Sequence, residues 1–175
     1  MKGTFKITLA YLKELGACRE GKREFQKAFP DGGEYQEVLD RCAEEGRFDF
    51  AGWLFSHVGP TEDVRTYNED IIEPDKNIFF AGRLEFSGSV SVNRIEAGLG
   101  IKAGEGIKAG LGIKAGRGIE AGEGIEAGCG YCVFAGVRAP MSSWESLAVV
   151  TAKSKPNNLR SGYWKPLEGS DEKTQ

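Results

Sequence analysis

Apolar positions fall on two different beats along this chain, and the sharper one runs through its second half. From residue 95 to 130 the phrase Ile-(Glu/Lys)-Ala-Gly-x-Gly is written six times without a gap, opening at Ile95, Ile101, Ile107, Ile113, Ile119 and Ile125. In an extended segment successive side chains alternate between faces, so each Ile and the Ala two residues on point one way and the charge between them the other. Each copy therefore predicts a three-residue strand, and each Gly-x-Gly a corner where the backbone can take angles closed to other residues. Helix is excluded, because two glycines in every six residues would each cost about 1 kcal/mol relative to alanine. A unit this short cannot bury its own isoleucine, so neighbours must stack, which predicts a β-solenoid.

The same beat carries bulkier pairs at Ile78/Phe80, Leu84/Phe86 and Val90/Val92 before the glycine phrase, and continues at Tyr131/Val133 and Val137/Ala139 after it. One residue inserted at a corner near Asn93-Arg94 would absorb the slip into Ile95. The predicted winding covers 78–142, eleven hexads. A coil of eighteen residues stacks Glu96 on Lys114, Lys102 on Glu120 and Lys108 on Glu126, three opposite pairs, whereas a coil of twelve puts Lys102 on Lys114. At about 4.8 Å per coil the rod would be nearly four coils, roughly 18 Å long.

The first 58 residues follow a helical beat. Thr8 can cap a helix whose Leu9, Leu12 and Leu15 share a face and which Gly16 ends. A second segment runs from Cys18 to Phe29, stopped by Pro30-Asp31-Gly32-Gly33. A third covers about Glu34 to Glu45, and a fourth, Phe48 to His57, is rich in aromatics. These predict a small bundle. Residues 59–77 turn polar and read as a connector or cap, and 143–175 as a C-terminal cap, in which Leu147–Thr151 reads as a capping segment or final strand, with a polar tail whose last residues, 168–175, are expected to be disordered. Open solenoid ends need covering, and the helical head is placed at the first of them.

Composition narrows the function more than it names it. A net charge of −3 in 175 residues removes the usual argument for nucleic acid, which needs a basic surface. No apolar run reaches the roughly 20 residues of a membrane span, so a cytoplasmic location is expected. Four cysteines are too few for a disulfide framework. Cys129-Gly130-Tyr131-Cys132 could be half a zinc site or a redox dithiol, but Cys18, Cys42 and the single histidine, His57, offer no matching second pair. No phosphate loop or metalloprotease motif appears. No catalytic, cofactor-binding or metal-ligating residue is therefore expected.

Two resemblances follow from these residues. The hexads resemble the left-handed parallel β-helix of hexapeptide-repeat proteins, three hexads to a triangular coil, although the small inward residue here follows the aliphatic one instead of preceding it. That family includes acyltransferases with a histidine general base, which makes an acyltransferase the enzyme alternative, with stacking into an assembly as a structural one. The phrase Leu15-Gly16-Ala17-Cys18-Arg19-Glu20-Gly21 with Phe25, Phe29 and Pro30 resembles a helical module of phage and prophage accessory proteins that carries an Ala-Cys-x-x-Gly motif. The resemblance covers about 55 residues and implies a non-enzymatic binder of a host or phage protein, with anti-CRISPR or other anti-defence inhibition as the candidate role. The expected fold class is α+β, a helical bundle at 1–58 followed by a short solenoid. Recognition is expected at the rod's ends, through Arg19, Lys22, Arg23 and Lys27 in the head and Tyr163 and Trp164 in the tail, with self-association as a further option; Phe79-Phe80 are a further candidate for exposed anchors, read first as packing residues.

Overall fold

The computed structural model describes residues 5–168; the expected disorder at the C-terminus falls almost wholly outside them. The architecture is α+β, a small helical head followed by a parallel β-solenoid of about six turns. Helix α1 (Leu9–Glu14) is capped by the Thr8 side chain, which accepts from the Tyr11 N–H, and α2 (Arg19–Ala28) by Cys18. Helix α3 (Tyr35–Glu44) opens with a capping box between Glu34 and Glu37, and α4 (Phe48–His57) follows. A two-residue ribbon, β1 (Lys6–Ile7) against β2 (Gly33–Glu34), ties the entry of α1 to that of α3. Such short pairing has no periodic signature, so the sequence does not announce it.

The winding has three sides. One stacks six parallel strands: β3 (Val64–Tyr67), β5 (Arg83–Phe86), β7 (Ile101–Ala103), β10 (Ile119–Ala121), β13 (Val149–Ala152) and β15 (Tyr163–Pro166). On the other two, β4 (Ile71–Phe80) and β6 (Val90–Ala97) each run round a corner. Their first halves lead to β8 (Ile107–Ala109) and β11 (Ile125–Ala127), their second halves to β9 (Ile113–Ala115), β12 (Val133–Phe134) and β14 (Leu159–Ser161). The eighteen-residue coil is as expected: Glu96 lies on Lys114, Lys102 on Glu120 and Lys108 on Glu126. The corresponding ion pairs close at 2.9, 3.0 and 3.6 Å. All six repeat isoleucines and their alanines are buried in one core.

Several expectations need correction. The winding begins at Val64, inside the segment 59–77 read as a connector, and continues past 142 through β13 to β15. Five steps of about 4.8 Å give a rod of about 24 Å. The first rung escapes the pattern because its inward residues are Arg65 and Tyr67, level with Leu84 and Phe86. The late rungs escape because a 3-10 turn at Met141–Ser143 and the short helix α5 (Trp144–Leu147) interrupt the beat. At Asn93-Arg94 the corner is one residue short, not long: Val90 and Ile95 are both buried only five apart, and the Asn93 amide donates to Asn77 Oδ1 of the preceding coil at 2.9 Å.

The repeat glycines also have a different reason. Within the repeat only Gly112 and the last glycine, Gly130, have a left-handed φ, of +101° and +83°. The first glycine of the corner, at Gly98, Gly104, Gly116, Gly122 and Gly128 but not at Gly110, is instead required by close stacking: a Cβ on Gly122 would sit against the carbonyl oxygen of Gly104 one coil below, and Gly104 stands in the same relation to Ser87.

The head reaches the first rung through α3, whose Asp40 pairs with Arg65 at 3.1 Å. It lies along the side of the rod, with α3 and α4 against the second half of β4. Phe79, on the outer face of β4, is 1% exposed within the head's core, edge-on to Phe48 at 5.9 Å, so it is no exposed anchor. Its neighbour Phe80 is buried in the solenoid core. Gln36 acts as a pairing strand would: its Nε2 donates to Phe79 O at 2.8 Å and its Oε1 accepts from the Ala81 N–H at 3.0 Å. Beside it the Glu96 carboxylate is 1% exposed among Lys114 at 2.9 Å, Arg138 at 3.7 Å and Arg94 at 3.9 Å. Lys114 lies off the line that a hydrogen bond needs, so that contact is Coulombic. Arg94 and Arg138 also stack on Phe48 and Phe55 of α4, binding head to rod.

Two outcomes follow. Gly122→Ala should cost about 1–3 kcal/mol of unfolding free energy, while Gly124→Ala, whose Cβ would meet nothing within 4 Å, should be neutral or slightly stabilising; urea melts compare them. Glu96→Gln leaves three cations facing one another and should cost about 3 kcal/mol, with faster hydrogen exchange at Ala81 as the head loosens.

Candidate functional site

The head contains an apolar groove of about 280 Å³ between α2, α3 and α4. Helical spacing puts Gly21, Phe25 and Ala28 on the α2 wall and Val38 and Cys42 on the α3 wall, while Phe50 and Trp53 come from α4 and Leu12 closes one end. The aromatic run of α4 is thus divided by helix face. Phe48 and Phe55 turn to the rod, whereas Phe50 and Trp53 stay partly exposed in the groove. Charged side chains form the rim: Arg47 lies 4.5 Å over the Phe50 ring and pairs with Glu20 at 3.4 Å, and Arg41 pairs with Glu45 at 2.7 Å.

The basic cluster read from the sequence sits on α2 but does not act as one patch. Arg23 and Lys27 both bind Glu24, at 3.0 and 3.4 Å, and these contacts hold its carboxyl below the usual carboxylate range. Arg19 is exposed and Lys22 half-buried. The tail pair lies elsewhere, in the last strand of the rod. Trp164 turns inward and packs on the solenoid core, while Tyr163 faces out and is 46% exposed. The structure therefore does not bring the six residues together. The groove was not read from the sequence because its walls come from three helices whose packing the periodicity does not specify.

The remaining candidates are also placed. The His57 ring stacks on Trp53 at 4.2 Å and its Nδ1 lies 2.9 Å from Trp53 O, on the exposed side of α4. Cys129 and Cys132 are free thiols on an enlarged corner with Gly130 at φ +83°, the former exposed and the latter half-buried. Among the described residues no group of three or more His, Cys, Asp and Glu converges. Nor is any helix there long and apolar enough to cross a membrane.

Residues 1–58 match the family model of the YdhT N-terminal domain, and the match ends one residue beyond α4. It spans the groove and stops before the winding. No curated protein and no solved structure matches the chain.

Cys42, in the groove wall, carries a pH consequence. Burial, reinforced by Glu45 and Asp49, pushes its thiol up to about 12. Unfolded, the thiol would lose its proton near 8.5, so above that pH the folded state binds more protons. Its stabilising contribution is complete below about pH 8.5 and is lost as pH rises towards 12. Burial pushes the Tyr35 hydroxyl up as well, adding to the loss at the upper end. Urea midpoints should fall from about pH 9 upward and fall less in Cys42→Ala; at pH 8 iodoacetamide should modify exposed Cys18 and Cys129 well before Cys42.

Proposed function

We propose that this chain is a non-catalytic binding protein whose helical head receives an apolar segment of a partner protein, with the solenoid as its rigid support. The groove carries this reading. Partly exposed Phe50 and Trp53 line an apolar cleft near the lower size of ligand sites, with arginines at its rim, the residue types that dominate binding hot spots. The buried Glu96 contacts and the Gln36 clamp hold the head at one orientation on the rod, so the groove is presented rigidly. A host or phage protein as partner is supported by the match to the YdhT N-terminal domain, a family found in prophage-like proteins, and anti-defence inhibition as the outcome rests only on the resemblance of the head phrase to phage accessory modules. The acyltransferase alternative is not favoured, because His57 belongs to the head and stacks on Trp53, away from any cleft between coils.

Gly21→Leu tests the groove without removing anything from it. A Cβ at residue 21 lies at ordinary contact distance from Phe50 and Cys18, so the longer side chain would fill the cleft while α2 gains helix propensity. In capture from bacterial lysate with mass spectrometry, one protein should be held by the wild type and by Lys108→Glu but lost, at least tenfold, by Gly21→Leu. Equal capture by all three overturns the proposal.

A further inference from the structure

The two ends of the rod are complementary to each other. Around the first coil, Thr61 to Phe80, stand Glu62, Asp63, Glu69, Asp70, Glu73 and Asp75, against only Arg65 and Lys76. Both bases are engaged, Arg65 with Asp40 at 3.1 Å and Lys76 with Glu73 at 2.7 Å. The last coils, Ala148 to Leu167, contain Lys153, Lys155, Arg160 and Lys165 and no acid, and only Lys153 is ion-paired among the described residues, with Glu123. An acidic end and a basic end thus terminate one sheet.

That sheet has a free strand at each of these ends. Among the described residues β3 pairs only with β5, and β15 only with β13. The carbonyls of Asp63 and Tyr67 accept from Arg83 and Ser87, so by alternation the backbone groups of Val64 and Thr66 face away from the sheet. At the other end Tyr163 and Leu167 donate to Ala148 and Ala152, which leaves those of Trp164 and Pro166 facing out. Pro166 brings no N–H, but both residues keep a free carbonyl and Trp164 a free donor.

The side-chain columns also continue across the gap. One inward column runs Arg65, Leu84, Ile101, Ile119, Val150, Trp164; another runs Tyr67, Phe86, Ala103, Ala121, then Ala152 with Pro166. A second copy placed one rung beyond β3 sets its Trp164 over Arg65, its Pro166 over the Tyr67 ring, and its exposed Tyr163 on Val64, which is 53% exposed. We infer that the chain associates head to tail with itself, the last strand β15 at the basic end of one copy adding in parallel to the first strand β3 at the acidic end of the next. A contact between unlike ends does not close on itself, so it produces open chains and not a dimer.

Sedimentation equilibrium on the full chain tests this. The average mass should rise with concentration above 19.0 kDa, past the dimer, at low salt, and return towards the monomer in 0.5 M NaCl. The variants Glu62→Lys/Glu69→Lys/Glu73→Lys and Lys155→Glu/Arg160→Glu/Lys165→Glu should each need at least tenfold higher concentration to associate, and mixing the two should restore association. Circular dichroism checks folding, and glutamine at the same positions replaces any triple variant that unfolds. A monomer at every concentration, an association that stops at the dimer, or charge variants that associate like the wild type would each overturn the inference. A wild type that stays monomeric until residues 169–175 are removed would also overturn it, because those residues would then occupy the end themselves.

Discussion

A six-residue rung can bury its two inward side chains only against the rungs directly above and below, and this requirement organises the molecule. It sets the coil at eighteen residues, places Ile on Ile and Ala on Ala, and brings corner backbones close enough that a Cβ on Gly122 would strike the carbonyl of the coil below. Because the contacts run only between neighbouring rungs, stability is distributed along the rod and every departure from the beat has to be absorbed locally. The chain does this with the shortened corner at Asn93, the enlarged one at Cys129 and the excursion through α5.

The head depends on the same regularity. Its core is completed by residues on the outside of the winding, chiefly Phe79 and Ala81, so it needs a flat wall on which to pack. The wall is held by a carboxylate that belongs to the ladder. Glu96 is the first charge of the repeat, yet the head turns it from an exposed ladder member into a buried centre among Arg94, Lys114 and Arg138. Its counterparts Lys108 and Glu126, on a side with no head, stay exposed and contribute little.

This division explains how recognition can be separated from support. The repetitive outer ladders are balanced in charge and repeat the same motif, so they distinguish partners poorly. Irregular surface lies instead in the head groove, at the enlarged Cys129 corner, around α5 and at the two end rungs, where the periodic inward residues give way to Arg65, Tyr67 and Trp164.

Local rules were sufficient for the helices and for the glycine-rich rungs. Thr8 as a cap, the span of α4 and the stacking of Lys102 on Glu120 each follow from spacing and from short-range chemistry repeated along the chain. Leu147–Thr151 was legible as a final strand and is β13, but the first rung and the strands β14 and β15 were illegible because their inward residues are not aliphatic or their period is interrupted, so only pairing with a neighbour marks them as strands. The side-on position of the head, the burial of Phe79 and Glu96, the inward turn of Trp164 and the groove between α2, α3 and α4 were decided by tertiary structure alone. Each depends on which of several apolar faces meets which, and residues far apart in the chain settle that by the fit of their surfaces, a quantity that no local periodicity encodes.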